Sequence, residues 1–195
     1  MYIRKFIGWF LLKITGWEAV GGMPPRGRYV LIAAPHTTNW DMPYMMAISW
    51  RLGVKIHWIG KKSLFRFPFG WFMRLLGGIA VDRSKRQNTV QQVSHWMLQR
   101  ENAIVVVPPE GSRSKTPFWK SGFYHIARET KVPIALGFLD YEKKTGGFGP
   151  SYEPTDNPAV DMEHFRAFYT ASMAKYPEKF TVPRLKEELE EDTSP

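Results

Sequence analysis

A histidine that could act as a base and an aspartate that could hold it lie five positions apart in "LIAAPHTTNWDM", residues 31–42. The apolar run ahead of His36 reads as a strand, and Asp41 falls near the first turn of the helix expected to follow. A carboxylate turned back from that turn can bond one imidazole nitrogen, fix the tautomer and leave the other nitrogen free to accept a proton. It would also stabilise the imidazolium formed on the way. By itself the spacing fits equally well a helix-terminus acid beside a turn histidine.

Two more strand ends carry polar residues of an unusual kind. In "GGIAVDRSKR" (77–86), Asp82 and Arg83 follow an apolar run, an arrangement suited to an anion site or to a solvated charge run before a helix. In "VVVPPEGSRSKTPFWKSG" (105–122), two prolines stiffen the exit from a buried run, and Gly111 lets the backbone turn or approach a ligand. Glu110, Ser112, Arg113 and Lys120 follow within that loop, where the Arg113 fork and the serine hydroxyl offer donors to a phosphate. No metal site is expected. The five histidines are dispersed, there is no cysteine, and neither H-E-x-x-H nor a glycine-rich phosphate loop occurs.

These residues need a scaffold, and the hydrophobic pattern predicts one. Tyr29 to Ala34, Lys55 to Gly60, Gly78 to Val81, Ala103 to Val107 and Val132 to Leu139 read as strands. Trp40 to Leu52, Ser63 to Leu76, Asn88 to Arg100 and Ser121 to Thr130 read as helices between them, with Ser63 and Asn88 as N-caps. Near-continuous apolar strands alternating with helices describe an α/β fold, a mostly parallel central sheet flanked by helices on both faces. In such a sheet binding groups gather at the carboxyl ends of the strands, which is where all three polar junctions fall. A hairpin or loop around Gly146 and Gly147, a last helix from Asp161 to Lys175 and an acidic tail over 184–195 complete the reading.

The first 20 residues predict an amphipathic helix. Ile3, Phe6, Ile7, Phe10, Leu11 and Ile14 share one face, with Arg4, Lys5 and Lys13 largely off it and Trp9 and Trp17 placed for a headgroup region. Packing on the core explains that stripe equally well. The run is short, Lys13 interrupts it and no small-residue cleavage pattern follows, which disfavours a signal peptide. No stretch reads as a bilayer span, because Arg66, Pro68 and Arg74 break the most apolar window.

The chain's 195 residues and 44% hydrophobic content suit one globular domain, 1–195. Without cysteine, acyl transfer through an enzyme thioester is excluded. A net charge of +9 calls for an anionic partner: nucleic acid, anionic headgroups or a phosphorylated small substrate. Aromatic content of 15%, with eight tryptophans, favours the membrane interface. A nucleic-acid-binding module is the competing class, but it leaves His36 and Asp41 without a task, and no nucleic-acid partner is expected.

Together, in this order, the junctions resemble the glycerolipid acyltransferase family that includes 1-acylglycerol-3-phosphate acyltransferases. His36 to Asp41 match its His-x-x-x-x-Asp block; Gly78, Asp82 and Arg83 match a Gly-x-x-x-Asp-Arg block. Pro109 to Ser114 match Pro-Glu-Gly-Thr-Arg-Ser with Ser112 for Thr, Lys120 and Gly122 fit a trailing Lys-x-Gly, and Val132-Pro133-Ile134 match the last block. Pro35 stands where the family often has Asn. The resemblance spans about Tyr29 to Leu139, the catalytic core expected over 29–140. It implies that His36, held by Asp41, deprotonates the hydroxyl of a lysophospholipid-type acceptor, which attacks the thioester of acyl-CoA or acyl carrier protein. It implies no cofactor, and an acceptor site of Arg83, Glu110, Gly111, Ser112, Arg113 and Lys120, with the arginines on the phosphate. A non-glycerophosphate lipid acceptor is the alternative within the family. For the acyl chain, the aromatic segment Phe65, Phe67, Phe69, Trp71 and Phe72 is the candidate groove, with core packing as its other explanation. The expected setting is peripheral, on the cytoplasmic face of a membrane.

Overall fold

Tyr29, Val30, Leu31 and Ile32 are all buried, so their strand must be covered on both faces. The computed structural model, which describes residues 2–22, 27–82, 86–155 and 157–191, supplies both covers. In chain order its elements are α1 (Tyr2–Thr15), β1 (Glu18–Val20), β2 (Arg28–Ala33), α2 (Asp41–Leu52), β3 (Ile56–Lys61), α3 (Gly70–Leu75) and β4 (Gly78–Val81). There follow α4 (Arg86–Leu98), β5 (Ala103–Val107), α5 (Gly122–Thr130), β6 (Ile134–Asp140), β7 (Thr145–Tyr152), α6 (Pro158–Phe168) and α7 (Glu188–Glu191).

The strands form one seven-stranded sheet in the order β1-β7-β6-β2-β5-β3-β4. Every neighbouring pair is parallel except β6 and β7. Val30 and Ile32 point to one face, where they meet Val93 and Met97 of α4, Phe123 of α5 and Phe165 of α6. Tyr29 and Leu31 point to the other, where Met46 of α2 covers them. The expected α/β fold with helices on both faces is thus present, and α1 lies outside α2.

Several boundaries differ from the sequence-based expectation. Residues 63–76 are not one helix: a 3-10 turn at Lys62–Phe65 precedes α3, and Pro68, whose ring cannot sit in a helix interior, lies between them. Ser63 therefore lies inside the 3-10 turn and caps nothing. Helix α4 begins at Arg86, two residues ahead of the expected cap. Gly146 and Gly147 lie in β7, and the hairpin turn falls at 141–144 instead. The last long helix ends at Phe168 and is followed by a separate 3-10 turn at Ala171–Met173.

Helix α1 bears on the choice between an interfacial and a core-packed stripe. It meets α2 through Gly8 and Leu12, and a Cβ on Gly8 would stand 2.5 Å from the Ala47 carbonyl oxygen, so only glycine permits this approach. Of the apolar stripe, Ile3, Phe6, Ile7, Phe10 and Ile14 are exposed and Leu11 is half-buried against the core. Trp17 is not interfacial: it is buried, stacked on Tyr44 at 4.2 Å and meeting Tyr141 edge-on at 4.9 Å. Among the described residues no helix is long and apolar enough to cross a membrane.

On the far edge, Phe65 lies across Gly60 and Gly78, where a Cβ on either would sit 2.7 Å from its ring. Gly78→Ala should therefore overpack this joint and cost about 2 kcal/mol of stability, read as a lower urea midpoint. Adding Phe65→Leu should recover part of that loss, and additive losses would show the two sites to be independent.

Candidate active site

Three adjacent parallel strands, β5, β2 and β6, deliver their carboxyl ends to one place. The chain leaves β2 toward His36, β5 toward Glu110 and β6 toward Tyr141. Asp41 opens α2, where the helix dipole favours a negative charge.

The Asp41 carboxylate is buried and accepts four hydrogen bonds. Its Oδ2 lies 2.8 Å from His36 Nδ1 and accepts from the backbone N–H of Thr37 and of Thr38, both at 3.1 Å. The Tyr141 hydroxyl donates to Oδ1 at 2.7 Å. A carboxylate can only accept, so Nδ1 carries the shared proton, and in the neutral ring the lone pair then falls on Nε2. Burial and the bond to Asp41 push the Tyr141 phenol well above its usual pKa, so it remains a donor. Tyr141 escaped the sequence reading. The only signal was a hydroxyl-bearing ring just past the end of the last parallel strand.

Glu110 Oε1 accepts the His36 backbone N–H at 3.0 Å, which ties the β5 loop to the residue that carries the imidazole. Its Oε2 is buried and has no hydrogen-bond partner among the described residues. Burial pushes the Glu110 carboxyl up to about 7, against the bond from His36 that favours its charged form. The loop is closed by Gly111 N–H to the Pro108 carbonyl at 3.2 Å and Lys120 N–H to the Pro109 carbonyl at 2.8 Å. Gly111 has φ +66°, the left-handed region that favours glycine, and the flexible end of the Lys120 side chain lies over it.

The other predicted residues are dispersed around this centre. Ser112, Arg113 and Lys120 are exposed on the β5 loop, and Ser112 Oγ donates to the Ser114 carbonyl at 3.2 Å. Glu110 stands apart from them, buried and turned to the His36 backbone. Arg83 lies outside the described residues. The strand β4, which ends at Val81, is at the sheet edge, separated from β2 by β3 and β5. One rim cation went unnoticed in the sequence: Lys175 Nζ lies 5.8 Å from the Trp40 ring and 6.0 Å from the Tyr141 ring. Among the described residues no three histidine, aspartate or glutamate side chains gather as a metal site.

An apolar cavity of about 170 Å³ opens behind the pair, with His36 and Asp41 in its wall. Met42, Met45 and Ile48 of α2, Trp58 of β3, Phe138 of β6 and Phe148 of β7 line it. The segment expected to form an acyl groove sits elsewhere. Phe65, Phe67, Phe69, Trp71 and Phe72 are absent from the lining: Phe65 is buried against Gly60 and Gly78, and the other four are exposed. The cavity arises between the sheet and α2, a gap that no single stretch of sequence encodes.

The Glu110 carboxyl sets a pH dependence of stability. It ionises near 4.5 when unperturbed but only near 7 in the fold. The folded state therefore holds an extra proton between those values, and the stability this provides is complete below the lower value and lost as pH rises through the upper one. Glu110→Gln keeps an acceptor for the His36 N–H but cannot ionise. Between about pH 5 and about pH 8 it should lose less stability than the parent, by up to about 3 kcal/mol in urea denaturation. Equal slopes in the two proteins would show the carboxyl to be ionised throughout.

Comparison with known proteins completes the picture. A model of the family described as Acyltransferase matches residues 19–135, which hold His36, Asp41 and Glu110 but not Tyr141 or Lys175. A 1-acyl-sn-glycerol-3-phosphate acyltransferase of Saccharomyces cerevisiae is 34% identical over 142 residues, covering 68% of this chain and 44% of that protein. One from Streptococcus pneumoniae is 28% identical over 176 residues, covering 83% of this chain and 66% of that protein. The chain thus spans between about half and two thirds of the length of these relatives. The crystal structure of the 1-acyl-sn-glycerophosphate (LPA) acyltransferase PlsC from Thermotoga maritima superimposes with a TM-score of 0.56. That likeness covers 82% of this chain and 72% of that one at 15% identity, a likeness of fold. With the family model matching more than half its length, the chain belongs to the Acyltransferase family.

Proposed function

We propose that the protein transfers a fatty acyl group from a thioester, on coenzyme A or a carrier protein, to the hydroxyl of a lysophospholipid-type acceptor such as 1-acylglycerol-3-phosphate. The observation that carries this reading is an imidazole whose Nδ1 is bonded to Asp41, beside an apolar cavity. His36 Nε2 takes the proton from the acceptor hydroxyl as its oxygen attacks the thioester carbonyl. The tetrahedral intermediate collapses with cleavage of the carbon–sulfur bond, and the imidazolium returns the proton to the departing thiolate. No acyl-enzyme forms, in keeping with a chain that has no cysteine. Asp41 holds the imidazole and offsets its charge while it is protonated, and Tyr141 holds Asp41.

The acyl chain occupies the cavity behind His36, where removal from water stabilises it. Arg113 and Lys120 on the β5 loop and Lys175 on the rim meet the acceptor phosphate, with Arg83 from the matching block. The names of the yeast and pneumococcal relatives support this acceptor class. The exposed apolar face of α1, with its lysines and arginine, rests the protein on a membrane surface, the source of an insoluble acceptor.

Purified protein given acyl-CoA or acyl carrier protein and a panel of lysolipids should release thiol and yield diacyl product by mass spectrometry. Strict dependence on the acceptor phosphate separates a glycerophosphate from other lipid acceptors. His36→Ala should slow thiol release by about 10³-fold, and release at the parental rate would exclude His36 as the base. Tyr141→Phe should lower kcat by about tenfold with KM unchanged, because Asp41 loses a charge-assisted hydrogen bond but no substrate contact.

A further inference from the structure

We propose that the lobe made by the 3-10 turn at Lys62–Phe65 and by α3 is a second membrane-inserting element, which docks with α1 on an anionic bilayer. The inference deepens the interfacial role assigned to α1 and rests on it.

Exposure is the first ground. Phe67 is 96% exposed, and Phe69 and Trp71 are each 67% exposed, with Leu64 and Leu75 about half exposed beside them. Single exposed apolar residues are ordinary, but a cluster of large aromatics at one tip is not. Phe65 turns inward as the root of the lobe, stacked on Trp58 at 5.8 Å, and its neighbours turn out.

Position is the second. Arg4 Nη2 donates to the carbonyl of Leu75, the last residue of α3, at 3.1 Å. That bond sets the beginning of α1, with its exposed Ile3 and Phe6, beside the lobe. The two apolar surfaces, about sixty residues apart in sequence, are therefore neighbours.

Charge names the occupant. Helix α1 carries Arg4, Lys5 and Lys13 and no carboxylate, and residues 61–81 carry Lys61, Lys62, Arg66 and Arg74 and again no carboxylate. Lys13 lies 5.0 Å over the Trp9 ring and Arg74 lies 5.6 Å from the Phe65 ring, so these stems run along apolar surface with their charges at its edge. Aromatics ringed by cations match the acyl–headgroup boundary of a bilayer with anionic lipids. A second copy meeting this face across a two-fold axis would set cations against cations. Two contact points also fix the orientation of the protein on the surface, which a single helix leaves free to roll. Trp58, on which the lobe is rooted, is itself a wall of the cavity behind His36.

The chain's lack of cysteine makes single labels clean. Phe67→Cys, Phe6→Cys and Val160→Cys, each carrying an environment-sensitive fluorophore, are mixed with phosphatidylglycerol–phosphatidylcholine vesicles brominated along the acyl chains. Bromine should quench the labels at 67 and 6 and spare the one at 160, on α6. Quenching at 6 alone overturns the lobe proposal, and quenching at neither overturns it together with the interfacial role of α1. A shielded label at 67 without vesicles, with a dimer in sedimentation, assigns the face to a second copy and also overturns it. Phe67→Ser with Trp71→Ser should weaken vesicle binding by about tenfold at an unchanged urea midpoint, and binding at the parental level sinks the idea. His36→Ala should bind vesicles as the parent does, so a failure of the acyl-transfer reading is told apart from a failure of docking.

Discussion

A buried carboxylate must be paired or hydrogen-bonded, and in this protein the one that matters is Asp41. It is satisfied by four donors: the His36 ring and the amides of Thr37 and Thr38 in the turn after β2, and a phenol from beyond β6, 100 residues away. The turn must bring both amides to one oxygen, the helix must begin at Asp41, and β6 must lie beside β2. Loss of any of these would leave a buried charge short of partners, a fault that costs several kcal/mol. The same bonds that pay this desolvation also set the imidazole tautomer, so folding and chemistry share one constraint.

The support extends outward on both sides. Tyr141 meets Trp17 edge-on, and Trp17 stacks on Tyr44 of α2. The segment leaving α1 is thus packed against the phenol that holds the carboxylate. On the other side, the buried Glu110 grips the His36 backbone through its N–H. His36 is consequently held at ring and backbone by groups from two different strands' loops. Rigid placement of this kind is what the proposed role of His36 as a base requires, because the barrier falls only where the reacting atoms are held in line.

Much of this was legible from local pattern. The apolar runs that became β2, β5 and β6 are largely buried on both faces, and such strands announce themselves by composition. His36 and Asp41 are close in sequence and joined by one turn, so their spacing carried the geometry. Tyr141 was not legible, since it lies 100 residues from Asp41 and only the adjacency of β2 and β6 brings it near. Glu110 was visible as a residue of the site, but its direction, toward the His36 backbone and away from the exposed Arg113, depends on how the loop folds over Gly111. Lys175 follows a helix expected to continue through it, which ends instead at Phe168.

Periodicity reports that a helix or segment has an apolar face; it does not report what covers that face. The stripe on α1 points outward because Gly8, which has no side chain, allows the opposite side to press against α2. The aromatic segment 65–72 likewise looked fit to line a groove, yet Phe65 alone turns inward and the apolar cavity opens between α2 and the sheet. The sequence by itself therefore determined the α/β class, the polar strand ends and the pairing of His36 with Asp41, because each is written in neighbouring residues. Only the tertiary structure decided which strands stand side by side, which apolar faces remain bare and where the cavity lies. Those depend on packing between segments far apart in the chain, where backbone approach and volume choose among faces that look alike in sequence.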